Sequence, residues 1–370
     1  MALFFRKRKN RDILYTASQW QLMRLKFSKH RLARVGGTIV LLFYFMAAFA
    51  EFLAPYNPRV RVVGFLSAPP TRLRFFDEDR KLRWPFVYSA KMSRDPNTLA
   101  PIYEVDKSRR HTLRFFVRGE PYKMWGLFNG DVHLFGVGND AKAYFLGGDQ
   151  AGRDLLSRII YGTRISLSIG LIGVTLSFGI GIVIGAISGY YSGIVDTIIQ
   201  RIIEVLISIP TLPLWMSLSA AIPLDWTIYQ VFFTISLILS LIGWVGLART
   251  VRGKLLSLRD EDFVVAAKIS GCSEWGIMFR HLVPSFLSYI IASGTLAIPW
   301  MILGETALSF LGIGLQPPAI SWGVLLKSAQ NIKAVLSTPW LLLPGLFVVV
   351  VIISFNFLGD GLRDAADPYK

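Results

Sequence analysis

The sequence predicts an all-α integral membrane protein of six transmembrane helices, with a β-rich extracytoplasmic insert between the first and the second. Three observations predict it. Hydrophobic residues make up 53% of the 370 and charged residues only 17%, where soluble domains carry about 25% charged. The apolar residues gather into six stretches, each close to the roughly 20 residues a spanning helix needs. Between the first two lies a long polar segment with strand-like runs.

The first stretch is Val35 to Ala54, interrupted only by Glu51 near its end. It is too long for a cleaved signal peptide and lacks a small-residue cleavage pattern behind it. The second, Ile165 to Tyr190, carries no charge. The third, from about Ile198 to Ile222, holds Arg201 and Glu204 in its first turns, three apart and placed to pair. Pro210 and Pro213 predict a kink or break there, since proline removes a helix hydrogen bond and clashes with the preceding turn. Ile228 to Ala248 is the fourth, Phe286 to Leu311 the fifth, and Leu336 to Phe357 the sixth.

Lysine and arginine near the spans set the orientation. Residues 1–34 hold Arg6, Lys7, Arg8, Lys9, Arg11, Arg24, Lys26, Lys29, Arg31 and Arg34 against Asp12. The amino terminus is therefore expected in the cytoplasm, and six crossings return the carboxyl terminus there. The loop at 249–285 then lies inside, with Arg249, Arg252, Lys254, Arg259, Lys268 and Arg280 in agreement. The expected organisation is a basic tail with an interfacial helix (1–34), a first span (35–54), the insert (55–164), and a core of five spans with the cytoplasmic loop (165–370). Trp20, Met23 and Phe27 fall on one side of the tail helix, which suits the surface of the inner leaflet. In the insert, Leu113 to Val117 and Val132 to Val137 read as strands, with Gly119, Gly130 and Gly138 as punctuation and Pro69-Pro70 as a turn.

Several function classes are excluded. The net charge of +16 is assigned to the positive-inside excess and to anionic lipid rather than to nucleic acid, because no basic stripe is interleaved with stacking aromatics. A lone cysteine, Cys272, allows no internal disulfide. His30, His111, His133 and His281 form no metal-ligand spacing, and no nucleophile, base and orienter stand together. No GxxxxGK[ST] loop is present to cradle a nucleotide's phosphates. Gly181, Gly185, Gly189 and Gly193 recur every fourth residue, one smooth helix face that packs either within the chain or against another subunit. Glu305 is the acid deepest in apolar sequence. It either bonds a neighbouring helix or lines a polar path. Asp154 can cap the second span, with Arg153 beside it.

A series of motifs then carries a resemblance. Leu53-Ala54-Pro55-Tyr56-Asn57-Pro58 follows the first span, and Gly147-Gly148-Asp149 through Gly152-Arg153-Asp154-Leu155-Leu156-Ser157-Arg158 precedes the second. The fifth ends Gly304-Glu305-Thr306-Ala307-Leu308-Ser309-Phe310-Leu311-Gly312, with Gln316-Pro317-Pro318 and Ser321-Trp322-Gly323 beyond it. The chain closes with Gly359-Asp360-Gly361-Leu362-Arg363-Asp364-Ala365-Ala366-Asp367-Pro368. Between the fourth and fifth spans stand Val265-Ala266-Ala267, Gly271 and His281-Leu282-Val283-Pro284. Together these resemble the second permease subunit of dipeptide, oligopeptide and nickel ABC importers, with Val265 where that family usually has an acid. The match omits roughly residues 60–145.

The resemblance implies the type I ABC importer permease fold in a bacterial inner membrane. It implies a second permease, two ATPase subunits that bind ATP and Mg, and an extracytoplasmic binding protein as partners. Peptides are the implied cargo, with nickel, opines and oligosaccharides as alternatives; a proton-coupled carrier using Glu305 and a membrane-anchored enzyme are the competing classes. The loop 249–285 would be the coupling loop. There Phe263 and Trp275 would anchor in an ATPase groove, Val265, Ala266 and Ala267 would allow close docking, Gly271 the turn, Ser273 a helix cap, and Pro284 would stand at the membrane. The bland alternative is an amphipathic surface helix without a partner.

Overall fold

The computed structural model describes residues 19–367, apart from 78–79, 95, 97–100, 139–140 and 224. Arg6, Lys7, Arg8, Lys9, Arg11 and Pro368 lie outside the described residues, as does the side chain of Trp20.

Helix α1 (Gln19–Lys29) buries Met23, and its Lys26 Nζ donates to Asp367 O at 2.7 Å, tying it to the end of the chain. His30 caps α2 (Arg31–Ala48) by accepting from the Ala33 N–H at 3.1 Å. Phe49, at φ −107° and ψ 31°, interrupts the helix before α3 (Ala50–Leu53). The first span thus ends at Ala48 rather than Ala54. Glu51 sits beyond the break, where Arg164 pairs with it at 2.7 Å. A carboxylate that would be costly in lipid is thereby moved to the rim and given a partner.

The insert is β-rich as expected. Strands β1 (Arg74–Phe76), β2 (Leu82–Arg94) and β3 (Pro101–Thr112) form an antiparallel sheet, and β4 (Arg114–Met124) with β5 (Phe128–Gly136) a separate ribbon. Gly119 and Gly130 do not punctuate these strands; they lie inside them. A Cβ on Gly119 would fall 2.7 Å from the His133 ring, and one on Gly130 2.8 Å from the Tyr122 ring. Each glycine makes room for the ring opposite.

Helix α4 (Leu155–Tyr191) has 37 residues, about 55 Å at 1.5 Å per residue. It starts at Leu155 rather than Ile165 because Asp154 caps it, accepting from the Ser157 N–H at 2.8 Å and Ser157 Oγ at 2.6 Å. Residues 155–164, the end of the expected insert, are thus helical and continuous with the second span. The third span is broken into α5 (Gly193–Ser208) and α6 (Thr211–Ala220), bent by 83° at Pro210. Thr227 and Gln230 close a reciprocal cap on α7 (Ile228–Leu258), which continues past Ala248. Then come α8 (Asp262–Ile269), α9 (residues 274–285, π-helical over Ile277–Leu282) and α10 (Leu287–Leu311). Short helices α11 (Trp322–Lys327) and α12 (Ile332–Ser337) precede α13 (Leu343–Ala366). The last apolar stretch runs Pro339–Ala366 rather than Leu336 to Phe357, since Pro339 cannot continue α12. Among the described residues, five helices are long and apolar enough to cross a membrane, and the bent pair makes a sixth if counted as one.

Helices α4 and α7 pack at backbone distance. A Cβ on Gly181, Gly185 or Gly189 would stand 2.8, 2.5 or 2.7 Å from the backbone oxygen of Trp244, Ala248 or Arg252. The three glycines let the two backbones touch. Gly193 does not share this face: α4 has ended, its φ is +59°, and nothing lies within 4 Å of where its Cβ would be. It forms the turn into α5 instead.

A methyl group at Gly185 should force α4 and α7 apart. Gly185→Ala is expected to destabilise by about 1–3 kcal/mol. Gly179→Ala, helical, exposed and with open space at its Cβ, should be neutral or gain up to ~1 kcal/mol from helix propensity. Thermal unfolding of the two purified variants checks this; equal losses would contradict it.

Candidate functional site

The end of the bundle opposite the insert carries a compact knuckle built from α8 and α9. Its inner face is apolar and buried: Val264 and Ala267 pack on Ile277, Met278 and Leu282, in one cluster with Ala186 of α4, Val251 and Leu255 of α7 and Ile290 of α10. Its outer face is apolar and exposed. Phe263, Val265, Ala266 and Trp275 lie there, with Ile269 82% exposed. Of the two alanines, then, Ala266 faces out and Ala267 faces in. Trp275 stacks on Phe279 with ring centroids 5.2 Å apart.

Local chemistry makes the knuckle rigid. Gly271 adopts φ +75°, the left-handed turn that ends α8. Ser273 Oγ accepts from the Gly276 N–H at 3.2 Å and caps α9. Pro284 is exposed in the last turn of α9, before Phe286 breaks the chain into α10. Tyr191 Oη donates to Glu274 at 2.6 Å, and Lys268 Nζ stands 5.8 Å over the Tyr190 ring. Just beyond, the Asp196 carboxylate of α5 takes both Nε and Nη2 of Arg252 from α7 at 2.5 Å, and Ser188 of α4 also donates to it. Sequence reasoning missed Asp196 and Ile269, and read Arg252 only as a marker of orientation. Ile269 had a signal, four residues after Val265 on one helix face; the Asp196–Arg252 pair, far apart in the chain, had none. Arg201 and Glu204 pair at 2.7 Å on the exposed side of α5.

Glu305 is fully buried within the chain. Its Oε1 accepts from Ser309 Oγ at 2.8 Å and Ser321 Oγ at 2.7 Å, and its Oε2 from Ser166 Oγ at 3.5 Å. Those serines accept in turn from Leu315, Val324 and Trp322 N–H groups. The carboxylate thus joins α4, α10 and α11 into one polar knot.

At the insert end, Asp149 is the hub. Its carboxylate accepts from the N–H groups of Ala151 and Arg153, both at 2.9 Å, and pairs with Arg153 Nε at 2.7 Å and with Arg158 Nη1. Arg153 therefore pairs with Asp149 and leaves Asp154 to its capping role. Asp154 Oδ1 has no hydrogen-bond partner. Among the described residues no group of three or more metal-ligating side chains gathers.

Comparison with known proteins matches residues 181–369 to the family described as "Binding-protein-dependent transport system inner membrane component". The chain belongs to that family. A second profile, the N-terminal TM domain of oligopeptide transport permease C, matches residues 18–70. Strands β1 to β5 fall in the stretch that neither profile covers. The oligopeptide transport system permease protein OppC of Haemophilus influenzae is 42% identical over 226 residues, 61% of this chain and 70% of the relative. That of Escherichia coli K12 is 42% identical over 228 residues, 61% and 73% of the two chains. The dipeptide transport system permease protein DppC of Bacillus subtilis is 38% identical over 227 residues, 61% and 68%.

In this inner-membrane transport component, burial pushes the Asp154 carboxyl up to about 6 from an ordinary 3.8, against the hydrogen bonds from Ser157. A raised acid binds more protons folded than unfolded, so its contribution to stability is greatest below 3.8 and is lost as pH rises through 6. The loss is about 3 kcal/mol at 1.36 kcal/mol per unit. Asp154→Asn keeps a capping acceptor without the charge. Its Tm relative to wild type should therefore rise between pH 4 and pH 7; a pH-independent difference would contradict the assignment.

Proposed function

We propose that the chain is one of two permease subunits of an ATP-driven ABC importer, forming with the second a path for peptides delivered by an extracytoplasmic binding protein. The family supports the importer, and the printed names of the relatives, oligopeptide and dipeptide permeases, support peptides as cargo. Both termini then lie in the cytoplasm with the knuckle, and the insert outside, an orientation that the lysine and arginine distribution supports. ATP and Mg belong to two separate ATPase subunits.

The observation that carries this reading is the exposed apolar face of Phe263, Val265, Ala266, Ile269 and Trp275, flanked by charged residues, at the tips of α4, α7 and α10. Such a face fits a hydrophobic groove in a partner. Because the knuckle and the three helix ends share one apolar cluster, a pull on it moves them together. Interiors packed this way transmit displacement rather than absorb it. ATPase closure would thus reorient the spans and open the path outward. A proton carrier built on Glu305 is the weaker reading, since three serines of its own chain enclose that carboxylate.

Uptake into vesicles holding the whole complex should need hydrolysis-competent ATPase partners and be indifferent to collapse of the proton gradient. Ile269→Asp, which buries a charge in the proposed groove, should cut uptake at least about tenfold while the two permeases still co-purify. Uptake driven by a proton gradient without ATP would overturn the proposal.

A further inference from the structure

The β4–β5 ribbon hangs alongside the end of the first span, pinned to it at two heights. His133 Nδ1 lies 2.6 Å from Ala54 O, past α3, and Trp125 Nε1 donates to Ala48 O, the end of α2, at 2.7 Å. Between them Phe52 meets Phe116, with ring centroids 6.2 Å apart. From Ala54 back to Ala48 the chain runs about 9 Å at the helical rise, so the ribbon points its tip back toward the bilayer. Ala48 lies at the end of the candidate span, about one turn before the Glu51–Arg164 pair. It closes the 18-residue apolar helix that starts at Arg31, about 27 Å long against a hydrocarbon core of about 30 Å. At the same level Arg164 donates to Ala47 O and Ala48 O and pairs with Glu51, a polar rim around the helix end.

The tip has the wrong chemistry for a turn in water. Such turns favour Gly, Asn, Asp, Ser and Pro; this one reads Met124-Trp125-Gly126-Leu127-Phe128. Trp125 takes φ +53°, a conformation rare for a bulky aromatic, and is 51% exposed, with Leu127 at 77% and Phe128 at 62%. One register step further along, Lys123 faces Asn129, and both are exposed. The apolar tip is continuous with the exposed side of α2: Trp125 packs on Phe49, and Phe49 on Phe45, which is exposed with Leu41 and Leu42.

We propose that the tip of the β4–β5 ribbon is a lipid anchor: Trp125, Leu127 and Phe128 enter the headgroup–acyl boundary of the leaflet on the insert side, with Lys123 and Asn129 among the headgroups. An aromatic with an N–H handle suits that layer, as do apolar side chains beside a cation. The anchor would fix the height of the insert over the membrane without a further span. It rests on the chain crossing the membrane and not on the nature of the cargo.

A bimane probe tests this on Leu127→Cys in a Cys272→Ser background, with Phe45→Cys, on the exposed side of α2, for comparison. The full chain is taken from its host membrane with native lipid and partners in polymer-bounded discs. Nitroxide carried on a shallow acyl position should quench the Leu127 probe as it does the Phe45 probe, while aqueous iodide leaves it bright. Quenching by iodide and not by the lipid-borne nitroxide would overturn the proposal by placing the tip in water. Resistance to both would also overturn it, because protein would then cover the tip.

Discussion

The contact on which the rest of the structure depends is that between α4 and α7, made at backbone distance through Gly181, Gly185 and Gly189. Lipid offers no hydrophobic force to hold two apolar helices together, so close van der Waals packing and a few hydrogen bonds must do it. Removing three side chains from one face gives that packing. The pair then behaves as one strut, from the insert end of α4 to the knuckle. At its far end the Asp196–Arg252–Ser188 cluster ties α5 to the same strut. The bidentate geometry and the extra serine donor make so charged a cluster tolerable close to the apolar body.

Glu305 plays the corresponding part nearer the insert. An unsatisfied carboxylate there would be among the most costly groups in the molecule. Three serine hydroxyls satisfy it, and each serine also holds a backbone N–H. The network fixes where α11 turns back against α4. It also places Trp322 in the core, where its Nε1 donates to Ile159 O at 3.2 Å. Between these ties the α5–α6 segment bends by 83° at its break.

Much of this was legible in the sequence because the relevant signals are local. Long apolar runs, the proline break, the Asp154 and Ser273 caps and the left-handed Gly271 each follow from a few adjacent residues. The boundaries that shifted did so where a neighbour outside the run decides the outcome. Asp154 starts α4 early, Phe49 ends α2 early, and Thr338-Pro339 delays the last span. The glycine line predicted close packing, but only the fold shows that its partner is α7 and that Gly193 stands apart. Likewise the alanine pair marks the loop, while the burial of Ala267 and exposure of Ala266 depend on how α9 folds back over α8. Gly119 and Gly130 read as breaks because their cause, a ring across the ribbon, lies on another strand.

In the proposed function, the exposed face of α8 and α9 is where another subunit's work enters this rigid body. A photo-crosslinking residue at Ile269 in the assembled complex tests it most directly. An adduct to an ATPase subunit, formed on the cytoplasmic side of the membrane, is the expected result. An Ile269 that stays free in solvent throughout the ATP cycle, or that reacts only from the side of the insert, would contradict it.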